Sequence, residues 1–381
     1  MSVGSRRKSL LHTAGSERVI QVAGDDPRWD DFVLRAPGAT VFHHSGWLAA
    51  LQEENGQQAI RLACEEPDGA LSGVLPLMVT RGLPLRIGGA SAGPRLSSLP
   101  RTPVAGPLAT SEAVIRAMTE TAMAHARSAG LRLQLKPGAG TLDGVAPGLQ
   151  GRPWRPSYVK RLPDDPDLLR FGKSRNHARI TWAVRKAGRE GLRVRDAADE
   201  ADLRHWYRLY LDVNRWRGPP SRPYRFFRSA WEHLQPGGFL RLLLAYREGS
   251  GRELPVAGAI LLMLGETAFY AFNGRQAEAL PDRPNDLLQW HALRDAAEAG
   301  YRWYDFGEVA KGNENLARFK AKWDTEVRML IRYHAPPLPA DESDYGRLST
   351  TGRLRRIALG GWHRVPLPVT ALAGDRVYRF L

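Results

Sequence analysis

A lysine near the C-terminal end of the chain lies where the sequence pattern predicts an apolar side chain. Residues 314–323 (ENLARFKAKW) have the spacing of a helix whose first turn is capped by Asn313. Four side chains recur at i, i+3, i+4 and i+7 and share one face: Leu316, Phe319, Lys320 and Trp323. An ammonium at the wall of a cleft stabilises a developing oxyanion, because the low dielectric strengthens its field. The alternative is that the methylenes of Lys320 pack on the core edge while its ammonium reaches water.

The residues before this helix predict a strand and a loop that would position it. Residues 301–306 (YRWYDF) form an aromatic run of strand type, and residues 307–313 form a loop that contains two glycines. Asp305 stands at the end of the strand. We interpret Asp305 as an anchor that fixes the loop rather than as a catalytic base, and we identify no general base in the sequence.

The composition predicts a globular protein with a polyanionic partner. The chain has 381 residues, of which 43% are hydrophobic, and this length suits two domains. Lys and Arg number 55 against 40 Asp and Glu, which gives a net charge of +15. Such an excess favours nucleic acid, an anionic membrane surface or a phosphorylated substrate as the partner.

Several classes of site are excluded or disfavoured by the same sequence. The single cysteine, Cys64, excludes an internal disulfide and a cysteine-based metal cluster. The ten histidines show no H-x-x-x-H pairing, so we predict no metal site. The N-terminus lacks the apolar core of a secretory signal, and no window approaches eighteen apolar residues. We therefore expect a cytoplasmic protein without a transmembrane segment.

A strongly basic segment follows residue 170. Between Arg170 and Arg195 there are nine Lys or Arg and one acid, Glu190. If Ser174 caps a helix, one face carries these residues: Arg175, Arg179, Trp182, Lys186 and Arg189. A basic stripe with an embedded Trp is typical of a surface that binds a phosphate backbone. A solvated helix face is the equally open alternative.

The order of predicted elements indicates an α/β (α+β) protein with a duplicated fold. The second half reads strand, two helices, three strands, helix, strand, helix, strand, and the first half gives a shorter version of this order. We predict two tandem domains, each a mixed twisted sheet flanked by helices. The predicted segments are a basic arm (1–17), a first domain (18–165), a second domain (166–335) and an Arg-rich tail (336–381). We expect the tail to pack on the second domain as short helices; contact with an anionic membrane surface is the alternative.

The second half resembles the Gcn5-related N-acetyltransferase (GNAT) superfamily. With VFHHSGWLAAL, KSRNHARITWAVRKAGREGLRV and NDLLQWHALRDAAEAGYRWYDFG followed by ENLARFKAKW, the chain is similar to the FemAB or FemX type of aminoacyltransferase. Enzymes of that type are built from two GNAT domains in tandem. The resemblance covers roughly residues 40–335, and its specific part is an Asp-Phe-Gly strand end followed by a Phe-Lys dipeptide on the next helix.

The resemblance implies transfer of an aminoacyl group from aminoacyl-tRNA to an amine, with the Phe-Lys dipeptide carrying the catalysis. It assigns oxyanion stabilisation to Lys320, worth about 3 to 4 kcal/mol per donor in known oxyanion holes. It assigns the shaping and drying of the cleft to Phe319. The candidate tRNA-binding residues are Arg175, Arg179, Lys186 and Arg189. The candidate substrate-binding residues are Trp47, Tyr270, Asn273, Trp303 and Asp305.

The donor substrate is predicted from the absence of a loop that binds pyrophosphate. GNAT enzymes that use acyl-CoA bind its pyrophosphate through a glycine-containing loop at a helix N-terminus. The matching residues here, 274–288 (GRQAEALPDRPNDLL), lack those glycines and contain Pro281 and Pro284. We therefore expect aminoacyl-tRNA as the donor and no cofactor. An acyl-CoA enzyme with a divergent loop is the second hypothesis, and a nucleic-acid-binding protein with a degenerate catalytic fold is the third.

The acceptor is left open between two classes of amine. Relatives that act on nucleotide-linked cell-wall precursors carry a lysine about one turn after the first-domain Trp, where this chain has Leu51 after Trp47. The long helical arm of some relatives is also missing. These departures favour a small-molecule or peptide amine, with a cell-wall precursor as the alternative.

Overall fold

A computed structural model describes residues 13–14, 17–82, 93–138, 140–218, 220–249, 254–339 and 362–380. Its helices are α1 (Pro27–Arg35), α2 (Ser45–Asn55), α3 (Glu112–Ser128), α4 (Ser174–Arg189), α5 (Glu200–Arg217), α6 (Tyr224–Leu234), α7 (Pro284–Glu298), α8 (Glu314–Ala321) and α9 (Leu367–Val377). Its strands in the first half are β1 (Thr13–Ala14), β2 (Glu17–Gln21), β3 (Ile60–Glu65), β4 (Leu71–Thr80), β5 (Arg95–Ser97), β6 (Leu108–Ala109), β7 (Arg132–Leu135) and β8 (Gln150–Arg161). Its strands in the second half are β9 (Leu192–Asp196), β10 (Leu240–Arg247), β11 (Pro255–Leu264), β12 (Thr267–Arg275), β13 (Trp303–Glu308) and β14 (Glu326–Ala335).

All of these strands belong to one mixed sheet. Its order is β1-β2-β3-β4-β5-β7-β14-β8-β13-β12-β11-β10-β9, with β6 paired to β4. The pairs β5 with β7 and β12 with β13 are parallel, and the other pairs are antiparallel. The predicted α/β fold with mixed strands flanked by helices is confirmed.

The strands alternate their side chains between two layers of helices. In β10, Leu242 and Leu244 join one hydrophobic core, whereas Leu243 and Ala245 join another. This two-residue period is that of a strand covered on both faces. The sheet is therefore the middle layer of a three-layer structure.

The hydrophobic core that contains Leu242 and Leu244 runs through both halves of the chain. Trp47 from α2 shares it with Trp206 from α5 and Phe226 from α6. Helix α2 packs closely on α6 at Gly46, where an added Cβ would lie 2.8 Å from Leu234. On the opposite face, α3 covers a core in the first half, while α4 and α7 cover a separate core in the second half.

The two halves also exchange strands at their junction. The strand-like residues 157–162 (SYVKRL) precede the predicted boundary at residue 165, and we expect them to form the last strand of the first domain. They belong to β8, however, which pairs with β13 and β14 of the second half. Strand β14 in turn pairs with β7 of the first half. The sheet is consequently continuous across the boundary that was predicted after residue 165.

The density of Pro and Gly between Pro137 and Pro156 predicts a loop. This prediction is wrong for the last seven residues, because β8 begins at Gln150. Pro153 and Pro156 lie within this strand, opposite a register shift of β14 between Met329 and Ile331. An irregular ladder tolerates proline, which has no N–H to donate. The proline-rich composition therefore did not prevent strand formation.

The two ends of the chain are described only in part. Residues 1–12 and 15–16 of the predicted basic arm lie outside the described residues, and Thr13–Ala14 pairs with β2. Residues 340–361 of the predicted tail also lie outside them, whereas α9 packs against α5. Within the described ranges, none of the helices is long and apolar enough to cross a lipid bilayer.

Candidate active site

Helix α8 places Lys320 inside the protein. The Asn313 side chain caps this helix by accepting a hydrogen bond from the Leu316 amide at 3.3 Å, as the sequence predicted. The helix ends at Ala321 rather than at Trp323, yet Trp323 is fully buried in the core. Only 6% of Lys320 is exposed. Its ammonium does not extend into bulk water. This excludes the alternative in which the methylenes pack on the core edge while the ammonium reaches water.

Two backbone carbonyls hold the Lys320 ammonium. Its Nζ donates to Gly307 O at 2.8 Å and to Glu308 O at 3.2 Å. Burial lowers the pKa of Lys320 to about 8, although the charges of Asp305 and Glu308 act to raise it. An ammonium has three N–H groups, so one remains for a further acceptor.

A bulge at the end of β13 aims these carbonyls at Lys320. Gly307 has a φ of +82°, in the left-handed region that favours glycine, and the pairing with β8 shifts register between Asp305 and Glu308. Asp305 Oδ1 accepts hydrogen bonds from the Gly307 amide and from Ser157 Oγ, both at 2.6 Å. Burial raises the pKa of Asp305, and these two hydrogen bonds oppose that rise. Asp305 thus has the contacts of an anchor for the loop.

The site opens where two parallel strands separate. Strands β12 and β13 pair only from Thr267 with Trp303 to Phe269 with Asp305. Beyond this point β12 continues to Arg275 paired with β11 but no longer with β13. A cleft of about 520 Å³ lies beside the diverging strands and reaches α2 of the first half.

Five residues predicted from the sequence line this cleft: Trp47, Tyr270, Asn273, Asp305 and Lys320. The Trp47 indole donates to Thr102 Oγ1 at 3.2 Å, which fixes the ring. Burial raises the pKa of Tyr270 to about 12, so its hydroxyl stays protonated at neutral pH and does not act as a base. The fold therefore brings together residues that are more than 270 positions apart in the sequence.

Two other predicted residues lie elsewhere. Trp303 lines a separate cavity of about 450 Å³, with the Arg328 guanidinium 3.9 Å from its ring centre. Phe319 lines a third cavity, of about 510 Å³, rather than the cleft of Lys320. Successive residues on a helix point about 100° apart, since a turn holds 3.6 residues, and this separates Phe319 from Lys320. Phe319 was expected to shape the cleft of Lys320 and to exclude water from it. Because its side chain lines a different cavity, it does not do so directly.

The cavity of Phe319 is basic and aromatic, and we call it the α4–α8 cavity. Besides Phe319, it is lined by Trp182, which is 50% exposed, and by four cationic side chains: Arg179, Arg283, Arg318 and Lys322. The Asp286 carboxylate also lines it and is ion-paired with Lys322, so three of the four cations are left without this acid. Of the residues predicted to bind tRNA, Arg179 lines this cavity. Arg175, Lys186 and Arg189 lie along the same helix, with Arg175 and Arg189 exposed and Lys186 half-buried. The helix begins at Ser174, but its cap residue is Lys173 rather than Ser174.

The start of α7 does not suit a pyrophosphate. Its first residue is Pro284, which has no N–H, and the amides of Asp286 and Leu287 already donate to Arg283 O. Asp286 is buried in the first turn and forms an ion pair with Lys322. A carboxylate therefore lies where the helix dipole would attract an anion. These residues do not fit the pyrophosphate of acyl-CoA.

The strongly basic lining of the cleft was not predicted from the sequence. Seven basic side chains among the described residues line it: Arg95, Arg101, Lys136, Arg155, Arg217, Lys320 and Arg332. Its two acids, Asp305 and Glu308, are both engaged, and Glu308 accepts from Arg155 at 2.7 Å and from the Trp154 indole at 2.9 Å. These cations are scattered through both halves, so the only sequence signal was the overall charge of +15.

Comparisons with known proteins agree with this architecture. Residues 174–321 match the family described as an acetyltransferase (GNAT) domain. The structure of FemX superposes with a TM-score of 0.62 and 16% identity, over 84% of this chain and 97% of FemX. L-PGS from Bacillus licheniformis superposes with a TM-score of 0.54 and 12% identity, over 93% of this chain and 97% of that chain.

A third structure shares the fold. The C-terminal domain of a putative lysylphosphatidylglycerol synthetase from Agrobacterium fabrum superposes with a TM-score of 0.55 and 13% identity, over 82% of this chain and 91% of that domain. No curated protein matches the chain by sequence. At these identities the superpositions show the fold, and the match over residues 174–321 shows a GNAT-type acyltransferase domain.

Proposed function

We propose that this chain, a FemX-like tandem GNAT protein with its GNAT acyltransferase domain at residues 174–321, transfers an aminoacyl group from aminoacyl-tRNA to an amine acceptor. One observation carries the proposal. The consecutive residues Phe319 and Lys320 line two different cavities, the basic and aromatic α4–α8 cavity and the cleft between the halves. The first suits the terminal bases of a nucleic acid, and the second, where Lys320 lies, suits the aminoacyl ester and the amine that attacks it.

The α4–α8 cavity supports tRNA rather than acyl-CoA as the donor. Unpaired bases stack on aromatic side chains, and here Trp182 and Phe319 lie among cations that attract phosphates. The exposed face of α4 extends this surface with Arg175 and Arg189. The start of α7, which borders the same cavity, does not suit a pyrophosphate, because Pro284 has no N–H and Asp286 places a carboxylate in the first turn, ion-paired with Lys322. Because charged tRNA is a cytoplasmic substrate, the proposal also implies a cytoplasmic enzyme.

The reaction is aminolysis of the aminoacyl ester. The neutral amine attacks the ester carbon, a carbon–nitrogen bond forms, and the carbonyl oxygen becomes an oxyanion. The third N–H of the Lys320 ammonium, which Gly307 O and Glu308 O leave unused, donates to that oxyanion. The carbon–oxygen bond to the ribose then breaks, and the departing ribose oxygen takes the proton that the amine loses. This route needs no general base from the protein.

A donor panel tests the proposal. The purified protein is incubated with labelled aminoacyl-tRNAs and labelled acyl-CoAs, together with candidate amines, and amide formation is measured. We expect at least one aminoacyl-tRNA to be consumed with formation of an amide. The Lys320→Met variant should lose about 100- to 1,000-fold in kcat, the effect of removing one oxyanion donor.

The exposed Lys311 provides the matched control, since Lys311→Met removes a lysine from the preceding loop without touching the cleft. Its activity should equal that of the wild type. Amide formation from acyl-CoA alone would replace the proposal with the acyl-CoA hypothesis. Binding of tRNA without transfer to any amine, and equally in wild type and Lys320→Met, would favour a non-catalytic nucleic-acid-binding protein.

A further inference from the structure

Arg101 is a cation of the cleft whose donors are not fully used. Its Nη2 donates to Glu54 Oε2 at 2.5 Å and to Asn55 Oδ1 at 3.2 Å. Its Nε and Nη1 are buried and have no hydrogen-bond partner among the described residues. Buried donors of a guanidinium are normally satisfied by an acceptor, because leaving them unpaired is costly. Arg101 therefore has donors for an anion that enters the cleft.

The cluster around Arg101 carries an excess of positive charge. The fully buried Glu54 carboxylate is shared between Arg101 and Arg222, whose Nη1 lies 3.5 Å from Glu54 Oε2. Arg222 is 4% exposed, and its Nη1 also has no hydrogen-bond partner within the described ranges. Two guanidinium groups thus face one carboxylate in a water-poor environment. A second anion would compensate the remaining charge.

The C-terminal helix fixes the position of Arg101. The guanidinium carbon of Arg101 lies 4.5 Å from the ring centre of Tyr378, in cation–π geometry. The Tyr378 hydroxyl donates to Pro220 O at 3.3 Å. In the same helix, Gly374 approaches Ser221 so closely that a Cβ added to Gly374 would lie 2.0 Å from the carbonyl oxygen of Ser221.

Further contacts hold α9 and Arg101 in place. Arg225 forms an ion pair with Asp375 and also donates to Glu53 O at 2.7 Å and to Glu54 O at 2.8 Å. Arg225 thereby connects α9 to the end of α2. The backbone of Arg101 has a φ of +47°, and its carbonyl accepts from Arg222 Nη2 at 2.7 Å. Both the guanidinium and the backbone of Arg101 are thus held by neighbouring groups.

We propose that Arg101 binds an anionic group of the acceptor, a phosphate or a carboxylate, and that Tyr378 acts as its positioning residue. The inference rests on the proposed function in that the bound molecule is the amine acceptor. It adds that the acceptor carries a negative charge at some distance from its amine. It also gives the C-terminal helix, which follows the GNAT domain by more than forty residues, a role in acceptor binding.

Direct binding of simple anions tests the site without any transfer reaction. Isothermal titration calorimetry with inorganic pyrophosphate and with glutarate distinguishes a phosphate from a carboxylate ligand. We expect the wild type to bind one of the two probes, and Arg101→Gln to weaken that binding about tenfold or more, the effect of losing a charge-assisted hydrogen bond. Absence of binding by the wild type, or equal binding by Arg101→Gln, overturns the anion site and leaves the proposed donor chemistry untouched.

A double-mutant cycle tests the role of Tyr378. Tyr378→Ala should weaken binding of the probe several-fold, whereas Tyr378→Phe, which keeps the ring, should restore it. Arg379→Gln is the matched control, because Arg379 is exposed on the same helix end and should bind as the wild type does. In the Arg101→Gln background, Tyr378→Ala should have no further effect on binding. Additive losses in the double variant, or a loss in Tyr378→Phe equal to that in Tyr378→Ala, overturn the positioning role.

Discussion

The Lys320 ammonium lies 2.8 Å from the carbonyl oxygen of Gly307, thirteen positions earlier in the sequence. The glycine conformation turns this carbonyl toward the lysine, and burial lowers the pKa of Lys320 to about 8. The lysine is thus charged at neutral pH but loses its proton in a mildly alkaline range. This relationship leads directly to predictions about pH.

The rate should fall as the pH rises through about 8. Only protonated Lys320 stabilises an oxyanion, so kcat decreases as this ammonium, whose pKa is about 8, is deprotonated. The acid limb of the profile should follow the amine of the acceptor, which must be neutral to attack. We expect Lys320→Arg to be less active but to lack the alkaline limb near pH 8, since a guanidinium remains charged. An unchanged alkaline limb in that variant would assign it to another group.

The stability of the protein should show the opposite pH dependence and increase as the pH rises above about 8. Because the folded pKa of Lys320, about 8, is below its ordinary value of 10.5, the unfolded chain binds more protons between these two pH values. The free energy of unfolding therefore rises with pH in this window, by up to about 3 kcal/mol for this group. Chemical denaturation of wild type and Lys320→Met at pH 7.5 and pH 10 isolates the contribution as a difference. An identical pH dependence of the two proteins would contradict it.

Gly307→Ala should impair activity more than stability. The substitution places a side chain at a φ of +82°, which costs about 1 to 2 kcal/mol, and displaces the carbonyl that holds Lys320. Gly312→Ala is the matched control, because Gly312 has a φ of +84° and open space around its Cα. The two variants should lose similar stability in thermal unfolding, while only Gly307→Ala loses kcat. Equal kcat values would show that the carbonyl position is not critical.

Gly46→Ala should destabilise the junction of the two halves. An added Cβ would lie 2.8 Å from Leu234 and 3.1 Å from His233, so α2 and α6 must separate. We expect a loss of about 1 to 3 kcal/mol in unfolding free energy, the usual cost of overpacking. Gly188→Ala in α4, with nothing within 4 Å of its Cβ, should instead be neutral or stabilise by about 0.5 to 1 kcal/mol.

Donor binding should depend on the basic face of α4 and on the α4–α8 cavity. Charge reversal at Arg175, Arg179 and Lys186 should weaken tRNA binding and reduce its salt dependence, by about 0.7 to 0.9 in the log–log slope per lost phosphate contact. Trp182→Ala should raise the KM for the donor and leave the KM for the acceptor unchanged, because Trp182 lines the α4–α8 cavity and not the cleft of Lys320. Measurements of tRNA affinity between low and moderate salt provide the check. A flat salt dependence of the wild type would place the tRNA elsewhere.

Local patterns in the sequence predicted most elements of the second half. The Asn313 cap and the start of the helix after it occur where the spacing placed them, because caps and apolar periodicity act within a few residues. The aromatic strand before the helix is present but shifted by two residues, to Trp303–Glu308, so Gly307 and Glu308 belong to the strand and not to the predicted loop. Proline density misled the prediction at Gln150–Pro156, where pairing with β14 outweighs the local preference for a loop. Contacts across the sheet are not encoded in a local window.

By itself, the sequence determined that Lys320 lies on the apolar face of a helix next to Phe319, and that α4 carries a basic exposed face. Both conclusions follow from helix periodicity, which depends only on the order of residues. The tertiary structure alone decided that Lys320 and Phe319 line different cavities and that seven basic side chains from both halves surround one cleft. It also decided that Tyr378 supports Arg101. These relationships join residues as far apart as 277 positions, and only the continuous sheet and the packing of helices on it bring them into contact.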